Sequence, residues 1–259
     1  SCQNSSSEKR PQPSKAWSYA TPLVAVLATM LFGGILLGLA ARIGRFCTLG
    51  AIEDLYYGEN TLRLRMWGIA IGVSVIGTYG LSFAGLLDLQ QTLYLGLNWN
   101  PLASIFGGLV FGYGMALAGN CGYGALARVG GGDLRSLLIV LIMGISAYVT
   151  LGGPLSSIRI WAFGASEQGT GVTSFAHSLA RVSGSSVALC GIAIGVAILC
   201  VTLVSRDLRR APSYIFWGAI AGLAIVSGWA GTQWVASNGF DATNVVSHTF
   251  SAPIGETIL

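Results

Sequence analysis

The chain has 259 residues, of which 53% are hydrophobic and 9% charged, with ten acidic side chains against fourteen basic ones. A soluble domain carries roughly 25% charged residues, so this composition, with a mean hydropathy of +0.67, excludes a soluble enzyme, a disordered chain and a nucleic-acid-binding domain. The net charge of +4 is spread over loops and forms no polyanion footprint. The class is an integral membrane protein.

The first 18 residues are polar, with Cys2, Lys9, Arg10 and Lys15, and lack the apolar centre of a signal peptide. They read as a disordered tail left by processing or fragmentation, ahead of a transmembrane domain over 19–259. Six apolar stretches follow, near 22–41, 64–87, 101–118, 134–152, 184–204 and 214–236. Each approaches the about 20 residues that a helix needs to cross a bilayer. Backbone amides in lipid must be satisfied within the segment, and no polar–apolar alternation is present, so an all-α fold with about six transmembrane helices is expected. The polar excursion from Pro154 to Ser183, with Arg159, Glu167, His177 and Arg181, reads as an external loop or hairpin.

Lys and Arg placement sets the orientation. Arg42, Arg45, Arg63, Arg65, Arg128, Arg135, Arg206, Arg209 and Arg210 fall on alternate connections, opposed only by Arg159 and Arg181, and this puts the nine on the cytoplasmic side. The basic tail is then misplaced. Either it is translocated or a helix precedes it.

An internal repeat is the most informative feature. GGILLGLAARIGRFCTLGA lies over GGLVFGYGMALAGNCGYGA without a gap, matching Gly33, Gly34, Gly38, Cys47, Gly50 and Ala51 to Gly107, Gly108, Gly112, Cys121, Gly124 and Ala125. A cysteine in register, followed three residues later by Gly-Ala, separates this from the chance matching of glycine-rich helices. Repeat 1 runs over about 33–87 and repeat 2 over about 107–152. Each reads as a span, a glycine-broken Cys turn, a short half-helix and another span, and such interrupted repeats build pathways at their interface.

The turns GRFCTLG and AGNCGYG place a thiol where a short helix starts. There, free amides and the helix dipole favour an anion, and glycine lets backbone come close to a ligand. A soft thiol beside amide donors suits an anion that also contains sulfur. Candidate substrate-binding residues are Cys47 and Cys121, with Asn120, Gly50, Gly124 and Gly122 around them; Tyr123 either lines the same cavity or packs. Cys190 and Cys200 lie in an unbroken apolar span and read as packing residues. His177 and His248 are too few and too far apart for a histidine metal site, and no cofactor is expected. Glu53, Asp54 and Glu59 either form a proton route or pair with Arg42, Arg45 or Arg63. Gly34/Gly38, Gly108/Gly112, Gly191/Gly195 and Gly218/Gly222 read as helix-packing faces. Trp17, Trp99 and Trp234 read as interfacial anchors.

The run GRFCTLGAIEDLYYG followed by AGNCGYGALARVGGGDLRS resembles the YeeE/YedE family of bacterial inner-membrane proteins, the thiosulfate-uptake transporters, and the terminal SAPIGETIL resembles a segment midway through longer members. The resemblance implies an hourglass-shaped helical protein that passes a thiosulfate-like ion inward by transient thiol contacts, a role that falls on Cys47 and Cys121. Because the family carries a related second half with further Cys turns, the resemblance also implies either a truncated member or the assembly of two chains. The leading expectation is therefore uptake of thiosulfate or a related sulfur anion, without enzymatic chemistry. The alternatives are a membrane thiol redox protein using Cys47 and Cys121, a sulfur-delivery protein docking a cytoplasmic sulfur carrier or sulfurtransferase, and a neutral-solute pore.

Overall fold

A computed structural model of the chain describes residues 15–89, 92, 100–163, 174–238, 245–249 and 257, with backbone alone at 15–23, 25 and 26. Cys2, Lys9, Arg10, Trp99, Glu167 and nearly all of SAPIGETIL lie outside these residues, as do the side chains of Lys15 and Trp17. The described chain is helical: α1 (Lys15–Arg42), α2 (Thr48–Tyr57), α3 (Leu62–Phe83), α4 (Pro101–Ala118), α5 (Gly122–Val129), α6 (Leu134–Leu151), α7 (Ser156–Phe163), α8 (Phe175–Ser183), α9 (Val187–Leu203), α10 (Arg206–Arg210) and α11 (Pro212–Asn238). Among the described residues there is no β-strand, only an isolated bridge between Thr92 and Val245.

This is an all-α, multi-pass membrane protein. Four segments are long and apolar enough to cross a bilayer: Leu62–Phe83, Pro101–Val129, Leu134–Leu151 and Pro212–Asn238. The helices Phe175–Ser183 and Val187–Leu203, bent by 114° at a short break, reach that length only when taken together, as a broken span or a re-entrant loop, and α1 adds the shorter apolar stretch Leu27–Arg42. The polar excursion from Pro154 to Ser183 holds α7 and α8, with 164–173 outside the described residues.

Local sequence explains the helix ends. Asn100 caps α4 by accepting from the Ala103 amide, with Pro101 in the first turn, and Gly119 ends the helix in the left-handed conformation at φ 63°. Asp133 caps α6 by accepting from the Arg135 amide at 3.0 Å and the Ser136 hydroxyl at 2.8 Å. The two repeats share one order of elements: long helix, cysteine, short helix, long helix, as α1–α2–α3 and α4–α5–α6.

The bundle is built on α3, which packs against α9 and α11, while α11 also packs against α1. Small residues set these approaches. A Cβ at Gly218 would stand 2.8 Å from the Met66 carbonyl, one at Gly222 2.8 Å from that of Ala70, and one at Gly195 3.1 Å from that of Gly72. Backbones thus meet where lipid offers no hydrophobic gain for helix association. The other two glycine pairs do not pack this way. Gly34, Gly38, Gly108 and Gly112 have nothing within 4 Å of a Cβ position among the described residues. Gly34 and Gly38 instead line a cavity, and no residue of α4 is buried. The reason is that repeat 1 meets α11 along its first helix, whereas α4 has no such neighbour among the described elements.

One stability test follows. Gly222→Ala is expected to destabilise by about 1–3 kcal/mol through overpacking against the Ala70 carbonyl. Gly112→Ala, on an open face, is expected to be neutral or stabilising, since alanine is the better helix former by about 1 kcal/mol. Thermal unfolding in detergent, followed by circular dichroism, separates the two; equal losses would place α4 in a packed environment.

Candidate functional site: a thiol pair between two half-helices

The two Cys turns meet. Cys47 occupies the cap position of α2 in extended conformation, φ −148° and ψ 132°, and Cys121 caps α5 with φ −82° and ψ 158°. Their sulfurs lie 3.5 Å apart, and both thiols are free. Extended backbone at each cysteine turns the chain from a span into a half-helix, so both short helices present their N-termini to one point. The Cys121 sulfur accepts from the Gly124 amide at 3.2 Å. Cys47 stands at the cap position of α2 without a side-chain cap bond to that helix. The pair therefore sits at two converging helix dipoles, the electrostatic setting that favours negative charge.

Cys47 opens on a cavity of about 200 Å³ lined also by Asn120, Gly124, Phe46 and four arginines, Arg42, Arg45, Arg63 and Arg128, while Cys121 lies buried behind it at 3% exposure. A water's share of liquid volume is about 30 Å³, so a small oxyanion fits with several waters. Asn120 is 5% exposed, and its side-chain nitrogen has no partner among the described residues. An unpaired buried donor costs about 1–3 kcal/mol, and a ligand acceptor removes that cost.

The predicted glycines take different parts. Gly50 is buried at the start of α2, where a Cβ would stand 2.5 Å from the Arg63 guanidinium. Arg63 therefore reaches over the first turn of α2, and its Nε also pairs with Asp54 Oδ2 at 3.3 Å. That ion pair is the structural alternative for Asp54, as against a proton route. Gly124 makes room for Asn120: a Cβ there would lie 2.4 Å from Asn120 Oδ1. Gly122 opens α5. Tyr123 donates its hydroxyl hydrogen to the Leu37 carbonyl, and it lines a second, larger cavity, not the smaller one that Cys47 borders. Cys190 is buried against Ser183, 3.5 Å from its hydroxyl, and Cys200 is exposed on α9. Neither belongs to the site.

Phe46 and Arg63 were not among the predicted site residues. The adjacency of Phe46 to Cys47 was visible in the sequence, but its stacking against Trp67, with centroids 4.3 Å apart, depends on how α3 meets the turn. Among the described residues no cluster of three or more His, Cys, Asp or Glu is placed to hold a metal.

These features define a helical, multi-pass membrane protein with two thiols paired from matching helix breaks in two repeats. The chain belongs to the sulphur transport family, whose model matches residues 43–259. It is 34% identical over 114 residues, 44% of this chain, to the thiosulfate transporter TsuA of Escherichia coli (strain K12). It is 31% identical over 133 residues, 51% of this chain, to the thiosulfate transporter TsuA of Spirochaeta thermophila. The matched stretches span 31% and 39% of those relatives' own lengths.

Proposed function

We propose that this chain takes part in the uptake of thiosulfate, or a closely related sulfur anion, across the bacterial inner membrane. The observation that carries this reading is the 3.5 Å approach of Cys47 and Cys121 at two converging half-helix N-termini. The thiols make transient S–H···S contacts with the terminal sulfur of the anion, while amides around Gly50, Gly122 and Gly124 and the Asn120 side chain receive its oxygens. Weak contacts at adjacent sites suit transport, because the ion must leave as readily as it enters. Arg42, Arg45, Arg63 and Arg128 then attract the anion to the cavity beside the thiols. The names of the two relatives support the choice of ion. The family's transport role and the lack of any bond-breaking step speak for a non-enzyme.

The test is growth on thiosulfate as sole sulfur source, in a bacterium lacking its own thiosulfate uptake. The chain, and the longer gene it matches where one exists, is expressed with and without Cys47→Ser and Cys121→Ser. The expected result is rescue by the unsubstituted protein and at least about a tenfold fall in labelled thiosulfate uptake for either variant at equal membrane level, the loss of one contact to a charged group of about 1.5–3 kcal/mol. Uptake that persists in both variants sinks the thiol role.

The same short sulfur–sulfur distance favours a second reading, a thiol–disulfide or sulfur-delivery protein in which a cytoplasmic sulfur carrier docks at the basic α10 (Arg206–Arg210). In it one thiolate attacks the outer sulfur of thiosulfate, the S–S bond of the anion breaks and sulfite leaves, so it predicts a cysteine persulfide, detected as an added sulfur in the peptide mass, together with one sulfite released per persulfide formed.

A further inference from the structure

A second cavity, of about 790 Å³, lies among α1, α3, α5, α11 and the segment carrying His248. It is mostly apolar, with Gly34, Gly38, Ala70 and Ile225 in its walls. This larger cavity and the arginine-lined one beside the thiols share three lining residues: Arg42, Phe46 and Ala127. Of the three, only Phe46 is buried, at 5% exposure. Its ring packs against two others, tilted against Trp67 with centroids 4.3 Å apart and edge-on to Tyr123 at 6.1 Å.

We propose that Phe46 is the partition between two halves of one anion pathway, and that its ring forces the anion to pass by the thiols. The inference rests on the reading of Cys47 and Cys121 as sulfur-anion contacts.

Three observations carry it. Phe46 directly precedes Cys47, and both side chains line the arginine-lined cavity, so the ring and the thiol border the same space. Next, Arg45 holds φ 51°, an uncommon conformation for a residue with a Cβ. The turn that presents Phe46 is thus imposed by its surroundings, as strained backbone at functional sites is. Lastly, buried polar atoms without partners among the described residues occur on both sides of the ring. Asn120 Nδ2 belongs to the thiol-side cavity, while Trp67 Nε1 and His248 Nε2 belong to side chains that line the larger one. A polar solute moving between the cavities meets such groups in turn. An apolar ring there excludes a hydrated anion such as sulfate, which has no soft sulfur atom to exchange its water for a thiol contact.

Two measurements on the purified full chain in proteoliposomes test this. The first is labelling of Cys47, as the sole cysteine, by a charged methanethiosulfonate reagent applied to either face of the membrane. One-sided labelling is expected with Phe46 present, and labelling from both faces with Phe46→Ala, the slow face accelerating by at least about tenfold. The second is uptake of labelled thiosulfate against labelled sulfate by the protein with its cysteines intact. Phe46→Ala is expected to raise sulfate passage relative to thiosulfate by about tenfold, and Phe46→Trp to slow both ions. Phe46→Leu, which keeps much of the volume, falls between and covers the case in which the alanine variant does not fold. One-sided labelling retained in a well-folded Phe46→Ala or Phe46→Leu protein, with the ion preference unchanged, overturns the partition and leaves the sulfur-anion reading intact. Absence of thiosulfate uptake by the unsubstituted protein overturns that reading, and the role of Phe46 with it.

Discussion

Mild oxidation of the membrane-embedded protein is expected to join Cys47 to Cys121 within one chain and to stop thiosulfate uptake, and a reducing agent is expected to restore it. The sulfurs already stand 3.5 Å apart, each on the first residue before a helix, where side-chain rotation meets little backbone resistance. Cys190 and Cys200 lie elsewhere, one buried against Ser183 and the other exposed on α9, so the joined pair is identifiable by peptide mass. Closing the bond consumes both S–H groups at once. If each contact to the charged substrate is worth about 1.5–3 kcal/mol, losing two slows passage by at least about a hundredfold. The experiment also separates the two functional readings. A redox protein passes through the joined form as a working state, whereas a transporter with joined thiols is dead until reduced. A cross-link that forms and leaves uptake unchanged removes the thiols from the pathway.

The sequence carried much of this arrangement and missed a definable part. The repeat was readable because Cys47 and Cys121 fall in register within glycine-broken turns, and that local signal corresponds to two half-helices that each start at a cysteine in extended conformation. That the sulfurs would touch was not readable, since it depends on how two copies 74 residues apart dock. The glycine faces show the same limit. Gly218 and Gly222 have the same spacing as Gly108 and Gly112, yet the first pair meets the α3 backbone and the second meets open space among the described residues. Spacing records that a helix is able to approach another closely; whether a partner arrives is decided by the rest of the bundle. Asn120 was legible as an amide needing a partner at membrane depth, and it is buried with an unpaired nitrogen. Phe46 was not, because an aromatic residue before a cysteine has no periodicity or motif of its own. Its position follows from Trp67 and Tyr123, which reach it from the second span of one repeat and the half-helix of the other.

The repeat's near-symmetry hides a chemical asymmetry with a large expected effect. Gly50 and Gly124 occupy the same place in the two copies, three residues after each cysteine. Gly124→Ala is expected to cut thiosulfate uptake by at least about tenfold, and Gly50→Ala to stay within about threefold. A Cβ on residue 50 meets the Arg63 guanidinium at 2.5 Å, the far end of a long flexible side chain that moves aside and keeps its charge near the cavity. A Cβ on residue 124 meets Asn120 Oδ1 at 2.4 Å and Cys121 Sγ at 3.4 Å. Asn120 is short and enclosed, so its amide has little room to turn except by leaving the place in which the proposal has it meet the anion. The residue-124 amide also donates to the Cys121 sulfur at 3.2 Å, so displacing the turn weakens the setting of the thiol itself. Uptake of labelled thiosulfate at matched membrane levels, with thermal stability measured alongside, reads the two variants against each other. A more damaging Gly50→Ala would mean that the Arg63 guanidinium, rather than the Asn120 amide, holds the oxygens of the anion beside the thiols.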